Sequence, residues 1–324
     1  MEFENIPTIP TADEVLDRAL RRSAMVRKEK RNKDRANEEF IRSIYSSVYD
    51  KLTDTVQKFP NFDELSPFYT DIVNLLFSVD KIRHSLGALK WAAEQTRSVG
   101  GSYARDMRRS EDTNAMRKQA TARISSIVHQ VDKDLRYLND ARNVLRKLPD
   151  IREEEFTVVV AGYPNVGKSS FMNIVSSATP QVAAYAFTTK KIIVGHREYG
   201  RFRFQLVDTP GILDRPYEKR NEIEHQALSA IRNVSDLILF IVDASEACGY
   251  SLEEQFRLYE NLKELTNEVP VEVIINKSDM KEYPGYMNMS TVTRKGVREV
   301  LDMVTKYLES SPKYLLQNSP EGNQ

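Results

Sequence analysis

The chain is short of several things at once, and each shortage excludes something. Cys248 is the single cysteine among 324 residues, so no disulfide can close within the chain and a reducing, cytoplasmic setting is expected. No apolar run approaches the roughly 20 residues of a membrane-spanning helix; the longest near the middle of the chain is Leu237 to Val242. The opening Met1-Glu2-Phe3-Glu4-Asn5 is polar and acidic, unlike a secretory leader, and neither end carries a lipid-attachment motif, so no membrane partner is expected. Internal repeats and low-complexity tracts are missing. His84, His129, His196 and His225 are scattered without metal-ligand spacing, which disfavours zinc. Net charge is missing too: 47 Lys and Arg face 47 Asp and Glu. The balance is uneven, with 27 basic against 23 acidic residues over 1–150 and an acidic excess after it, so the first half weakly suggests an acidic partner.

What is present reads as two domains, the natural expectation at this length with 40% hydrophobic residues. Residues 1–152 predict an all-α helical bundle. Thr11-x-x-Glu14 is a capping box opening a first helix that becomes strongly basic, with Arg18, Arg21, Arg22, Arg27, Lys28, Lys30, Arg31, Lys33 and Arg35. Phe40, Ile44, Val48, Leu52 and Val56 place a second helix over 38–58. A third starts at Ser66-Pro67 and runs through Ile72, Val79, Ile82 and Leu89 to Trp91, with Trp91 expected in the core and Gly100-Gly101 as a breaker. A last helical stretch carries Ile124, Val128, Leu135, Leu138 and Leu145.

From 153 to 310 the period changes. Strand-like runs at 156–161, 191–195, 202–208, 237–243 and 271–275 alternate with helical ones at 168–177, 220–234, 251–266 and 294–308. That alternation predicts an α/β domain around a mostly parallel sheet. Residues 311–324 read as a disordered tail.

Gly162-Tyr163-Pro164-Asn165-Val166-Gly167-Lys168-Ser169 reads G-x-x-x-x-G-K-[ST], a pattern expected by chance in roughly one such chain in a hundred. An apolar, β-branched run precedes it, and Ser169-Ser170-Phe171 can continue as a helix. The two glycines let successive backbone N–H groups turn toward phosphate oxygens. Lys168 reaches the β- and γ-phosphates, and the Ser169 hydroxyl can ligate Mg²⁺. Asp208-Thr209-Pro210-Gly211 ends a strand, where Asp208 can hold Mg²⁺ through water and the Gly211 N–H can meet the γ-phosphate. Upstream, Thr188-Thr189 can complete the metal shell when the γ-phosphate is present. Asn276-Lys277-Ser278-Asp279 ends another strand. The Asp279 carboxylate can accept both guanine N1–H and N2–H, Lys277 can lie along the base, and Asn276 can brace the loop. Ser290, in Met289-Ser290-Thr291, is a candidate for a backbone N–H onto guanine O6. Together these predict GTP or GDP with Mg²⁺. Ile212 stands where many switch GTPases have a water-orienting Gln, which predicts slow turnover. Asn165 either helps hold a potassium ion against the phosphates or only shapes the turn.

The set resembles the translation-factor-related GTPases. Tyr185-Ala186-Phe187-Thr188-Thr189-Lys190-Lys191, Val194-Gly195-His196, Phe204 to Asp214 and Asp243-Ala244-Ser245-Glu246-Ala247-Cys248-Gly249 resemble, within its Obg-like group, the nucleolar GTP-binding protein 1 family in a short, archaeal-type form. The resemblance implies a helical domain before the GTPase domain, GTP hydrolysis, and a role on the precursor of the large ribosomal subunit and its rRNA, with no DNA. It also implies Thr189, rather than Thr188, as the metal ligand, and Lys168, Thr189 and Gly211 together are the expected catalytic set. A signalling or membrane-associated GTPase with a helical effector domain is the alternative role.

Overall fold

The computed structural model describes residues 3–148, 150–177, 181–184, 191–199, 202–208, 232–266 and 269–313. Its helices are α1 (Ala12–Lys28), α2 (Lys33–Gln57), α3 (Pro67–Phe77), α4 (Val79–Asp106), α5 (Thr113–Gln130), α6 (Asp132–Leu145), α7 (Lys168–Val175), α8 (Leu252–Thr266) and α9 (Val297–Ser310). Its strands are β1 (Phe156–Ala161), β2 (Gln181–Ala184), β3 (Lys191–Tyr199), β4 (Phe202–Asp208), β5 (Leu237–Asp243), β6 (Val271–Asn276) and β7 (Met287–Asn288). The chain forms two compact units: Met1–Leu65 with Phe77–Arg146, and Ser66–Leu76 with Lys147–Gln324.

The first unit is helical. The Thr11 capping box forms as expected, the Thr11 N–H donating to Glu14 Oε2 at 2.8 Å. Phe40, Ile41, Ile44, Val48 and Leu52 give α2 a buried stripe, and α2 packs on α1 and α4, where Ile82, Leu89, Ala92 and Ala93 are buried. Each such fully buried large side chain contributes about 1.5–3 kcal/mol. This unit differs from expectation at four places. The basic run over 18–35 is not one helix: α1 ends at Lys28, and Asn32 starts α2 by accepting N–H bonds from Asp34 and Arg35. The third helix is two, parted at Ser78, whose φ of 58° leaves the helical region. Gly100-Gly101 lies inside α4 and breaks nothing: a Cβ on Gly100 would sit 2.5 Å from the Tyr45 ring, so the glycine lets α2 come close. Trp91, expected in the core, is 44% exposed.

The second unit holds a seven-stranded sheet in the order β2-β3-β4-β1-β5-β6-β7. Pairing is parallel from β4 to β7, and the β2–β3 and β3–β4 pairs are antiparallel. β1 and β5 are buried along their whole length, as their unbroken apolar runs require of central parallel strands. β2 and β7 were not expected; β7 is two residues long, too short to show a period, and is set by the Met289 N–H donating to the Ile275 carbonyl at 2.7 Å. The expected helix over 220–234 falls almost wholly outside the described residues, as does the expected tail from 314 onward; Lys313, described, bonds Asp236 at 2.7 Å.

The compact units differ from the expected division at 152 in two respects: the second unit begins at Lys147, and it takes in part of the helical region. Ser66–Leu76, most of α3, clusters with the second unit rather than the helical one. Glu153 accepts the Phe68 N–H at 3.1 Å at the start of α3, the Tyr69 hydroxyl accepts the Ile151 N–H at 3.1 Å, and Asp71 accepts from Asn233 Nδ2 at 3.1 Å. Hydropathy alone cannot show which unit an amphipathic helix joins.

Candidate functional site

Gly162 follows β1 directly, and Lys168 begins α7, so the glycine-rich loop joins a central strand to a helix N-terminus. Gly167 has φ of 106°, and a Cβ there would lie 2.0 Å from Asn276 Nδ2; a side chain would fill the place that brings the two loops together. Gly162 has φ of 132° and Asn165 φ of 63°, so Asn165 meets the turn-shaping expectation. Lys168 is 7% exposed, and its Nζ donates to the carbonyl oxygens of Gly162 at 2.8 Å and Tyr163 at 2.9 Å. Those two carbonyl oxygens hold the ammonium against the backbone of the phosphate loop. Ser169 Oγ donates to Asp208 Oδ2 at 3.2 Å, bringing a hydroxyl from α7 and a buried carboxylate from the end of β4 together. Hard oxygen donors of this kind suit Mg²⁺. Ser170 is exposed in the first turn of α7. Thr188, Thr189, Gly211 and Ile212 lie outside the described residues.

The second loop is tied to the first. Asn276, fully buried at the end of β6, donates from Nδ2 to the Val166 carbonyl at 2.8 Å and to Thr291 Oγ1 at 3.2 Å, while its Oδ1 accepts the Thr291 N–H at 3.0 Å. One amide thus joins the phosphate loop, the Asn-Lys-Ser-Asp loop and the loop before α9. Ser290 carries a part that its sequence did not show. Its hydroxyl donates to Asp279 Oδ1 and accepts the N–H groups of Val292 at 3.2 Å and Thr293 at 3.1 Å, while its own N–H goes to the Lys295 carbonyl. It therefore orients the Asp279 carboxylate.

Three residues outside the expected set join the same region. Lys277 Nζ lies 2.6 Å from Oδ2 of fully buried Asp243. Burial pushes the Asp243 carboxyl up, but the Lys277 ammonium and the Ser245 hydroxyl outweigh it and hold the group below the ordinary carboxylate range. Tyr250 stacks on Tyr163 of the phosphate loop with ring centroids 4.0 Å apart. Asp243 and Ser245 lie in the run Asp243–Gly249, whose sequence carries the family resemblance; nothing in its spacing points to Lys277.

A separate feature belongs to the helical unit. Arg27, Lys28, Lys30 and Lys33 line a cleft of about 300 Å³ with Ala24, Ala36 and Phe40, and among the described residues no acidic side chain lines it. Arg117 from α5 lies 5.3 Å from the Phe40 ring centroid, and its guanidinium is pushed down by burial and by Arg27. Its Nε is buried with no hydrogen-bond partner among the described residues.

Residues 3–152 match the family model of the NOG1 N-terminal helical domain, and residues 157–277 match that of a 50S ribosome-binding GTPase. An uncharacterized protein of Methanocaldococcus jannaschii is 40% identical over 289 residues, spanning 86% of this chain and 81% of that one. The chain belongs to the NOG1 family. The Drosophila melanogaster nucleolar GTP-binding protein 1 is 37% identical over 283 residues, 80% of this chain but 43% of the fly protein. This NOG1-family chain spans less than half the length of the nucleolar GTP-binding protein 1 relatives it matches. A crystal structure of a Plasmodium falciparum protein described as nucleolar GTP-binding protein 1 is 34% identical, covering 50% of this chain and 90% of that one with a TM-score of 0.45. Its family thus gives the chain a helical N-terminal domain and a P-loop GTPase domain that implies guanine-nucleotide binding. No helix among the described residues is long and apolar enough to cross a membrane.

Proposed function

We propose that this NOG1-family chain is a cytoplasmic, Mg²⁺-dependent GTP switch that hydrolyses GTP slowly and acts on the precursor of the large ribosomal subunit. The Asn276 latch carries the nucleotide reading. It ties the Val166 carbonyl of the phosphate loop to the loop of Lys277 and Asp279, so a nucleotide would meet both ends of one preorganised site. Ser169, Asp208 and Thr189 would hold the metal, which when bound neutralises charge between the β- and γ-phosphates. Lys168 supplies a fixed cation to the same phosphates. Asp279, oriented by Ser290, accepts the paired guanine donors that adenine lacks. The ribosomal reading rests on the family: the matched model is described as ribosome-binding, and the eukaryotic relatives are named nucleolar. The basic cleft of the helical unit suits rRNA phosphates.

Equilibrium titration with fluorescent nucleotides tests the base loop. Wild type should prefer GTP to ATP, and Asp279→Asn should weaken GTP about ten- to a hundredfold while improving xanthine nucleotide, which presents an acceptor where guanine has its amino group. Equal wild-type affinity for ATP and GTP would overturn the reading.

A further inference from the structure

Asp243 is held more completely than a carboxylate filling a loop needs to be. It ends β5 beside Asn276 of β6, so the sheet register itself sets it next to the base loop. Its backbone N–H donates to Gln255 Oε1 at 2.8 Å, and its carbonyl accepts from Gln255 Nε2 at 3.0 Å, so one α8 side chain grips both main-chain groups. The same amide reaches the Tyr250 carbonyl at 2.9 Å. On the carboxylate, Oδ1 accepts the Ser245 N–H at 2.9 Å and the Ser245 hydroxyl, while Oδ2 accepts the Cys248 N–H at 2.8 Å and Lys277 Nζ at 2.6 Å. With these bonds made the carboxylate cannot turn. Three of the four donors belong to Asp243's own loop. Lys277 alone comes from the loop that carries Asp279.

Lys277 is the group that needs holding. Its backbone sits at φ of 58°, a strained region for a residue other than glycine, kept only where neighbours over-determine it. Its side chain is a flexible four-carbon stem with a point charge at the end. Anchoring that charge on a buried, immobile anion fixes both ends of the stem, backbone and ammonium, and leaves the methylenes as a rigid apolar edge.

We propose that Asp243 is a positioning residue for guanine nucleotide: through Lys277 it fixes the surface on which the base lies, and so sets how slowly the nucleotide leaves. This rests on the reading of Asn276–Asp279 as the base loop. The ordinary alternative is an ion pair that only stabilises the β5–β6 end of the sheet.

Release of fluorescent GDP, chased with excess unlabelled GDP, separates the two in the full chain. Lys277→Ala and Asp243→Asn should each speed release, by roughly tenfold or more, as removing one partner of a buried charge pair does. The double variant should release GDP no faster than Lys277→Ala alone, because Asp243 acts only through that side chain. Ribose 5-triphosphate, which has no base, should bind wild type and Asp243→Asn alike. Lys277→Met leaves Asp243 untouched and covers the case in which Asp243→Asn does not fold; its unanchored stem should release GDP nearly as fast as Lys277→Ala. Accelerations that multiply in the double variant, equal loss of ribose 5-triphosphate, or Lys277→Met behaving as wild type would each overturn the proposal while leaving the base loop in place. If Lys277→Ala itself does not change GDP release, the base-loop reading fails first, and the proposal with it.

Discussion

Asn165 shows how a residue can satisfy one expectation and leave a second to chemistry. Its φ of 63° places it where asparagine replaces glycine most easily, so the turn accounts for its presence. Whether it also steadies a cation is a kinetic matter. With Ile212 in the water-orienting place, single-turnover hydrolysis in sodium buffer should be slow and should rise when potassium replaces sodium at equal ionic strength; Asn165→Ala should abolish the difference. Identical rates in both salts would remove potassium from the site. Much of the site was legible residue by residue, because the phosphate loop and Asn-Lys-Ser-Asp are short contiguous patterns whose chemistry is local. The rest depended on register. Asp243 meets Lys277 only because β5 and β6 pair Asp243 with Asn276, and no spacing along the chain announces that. Ser290 illustrates the same limit: nothing in its local sequence shows that its hydroxyl supports Asp279.

Helices and strands with long, clean periods were readable, and those decided by neighbours were not. The β1 and β5 runs, the Thr11 capping box and the α2 stripe all follow from local pattern. Gly100 did not, because its meaning lies in the Tyr45 ring on another helix. Ion pairing between elements gives this unit a pH signature. Glu38 on α2 accepts from Arg42 one turn away, at 2.8 Å, and from Arg108 in the turn after α4, at 2.9 Å. The Arg108 hydrogen bond, with Arg42 behind it, draws the Glu38 carboxyl below its ordinary range despite burial pushing it up. A depressed folded pKa means stabilisation present above the unfolded value and lost as pH falls through the folded one. Urea midpoints of wild type and Glu38→Gln should therefore differ near pH 7 and draw together as pH falls below the ordinary glutamate range of about 4.3. Arg108 is largely exposed, so added salt should narrow the gap at neutral pH. A gap that does not narrow at all as pH falls through the acid range would assign the loss to packing.

For the whole molecule the ribosomal role is the claim most open to test, since it joins a charge pattern to a family. Arg27→Glu, Lys28→Glu, Lys30→Glu and Lys33→Glu, made together, should abolish co-sedimentation with large subunits at physiological salt and leave GTP affinity unchanged. The wild-type association should weaken steeply as salt rises. Normal co-sedimentation of the quadruple variant would reduce the cleft to a solvated face. Two domains could be read from the change of period along the chain; the allegiance of α3 could not, and it has a consequence for how the molecule is made. A ribosome translating this message emits Phe68, Ile72 and Val73, all buried in the finished protein, long before their unit is complete. Asp71 and its partner Asn233 are separated by 162 residues, roughly 8–30 s of synthesis. For that interval the helical unit can finish folding on either side of a greasy segment that has nowhere native to go. The nascent chain is then most vulnerable to aggregation and proteolysis, and a slower-elongating message or an added delay before residue 233 should lengthen the exposure.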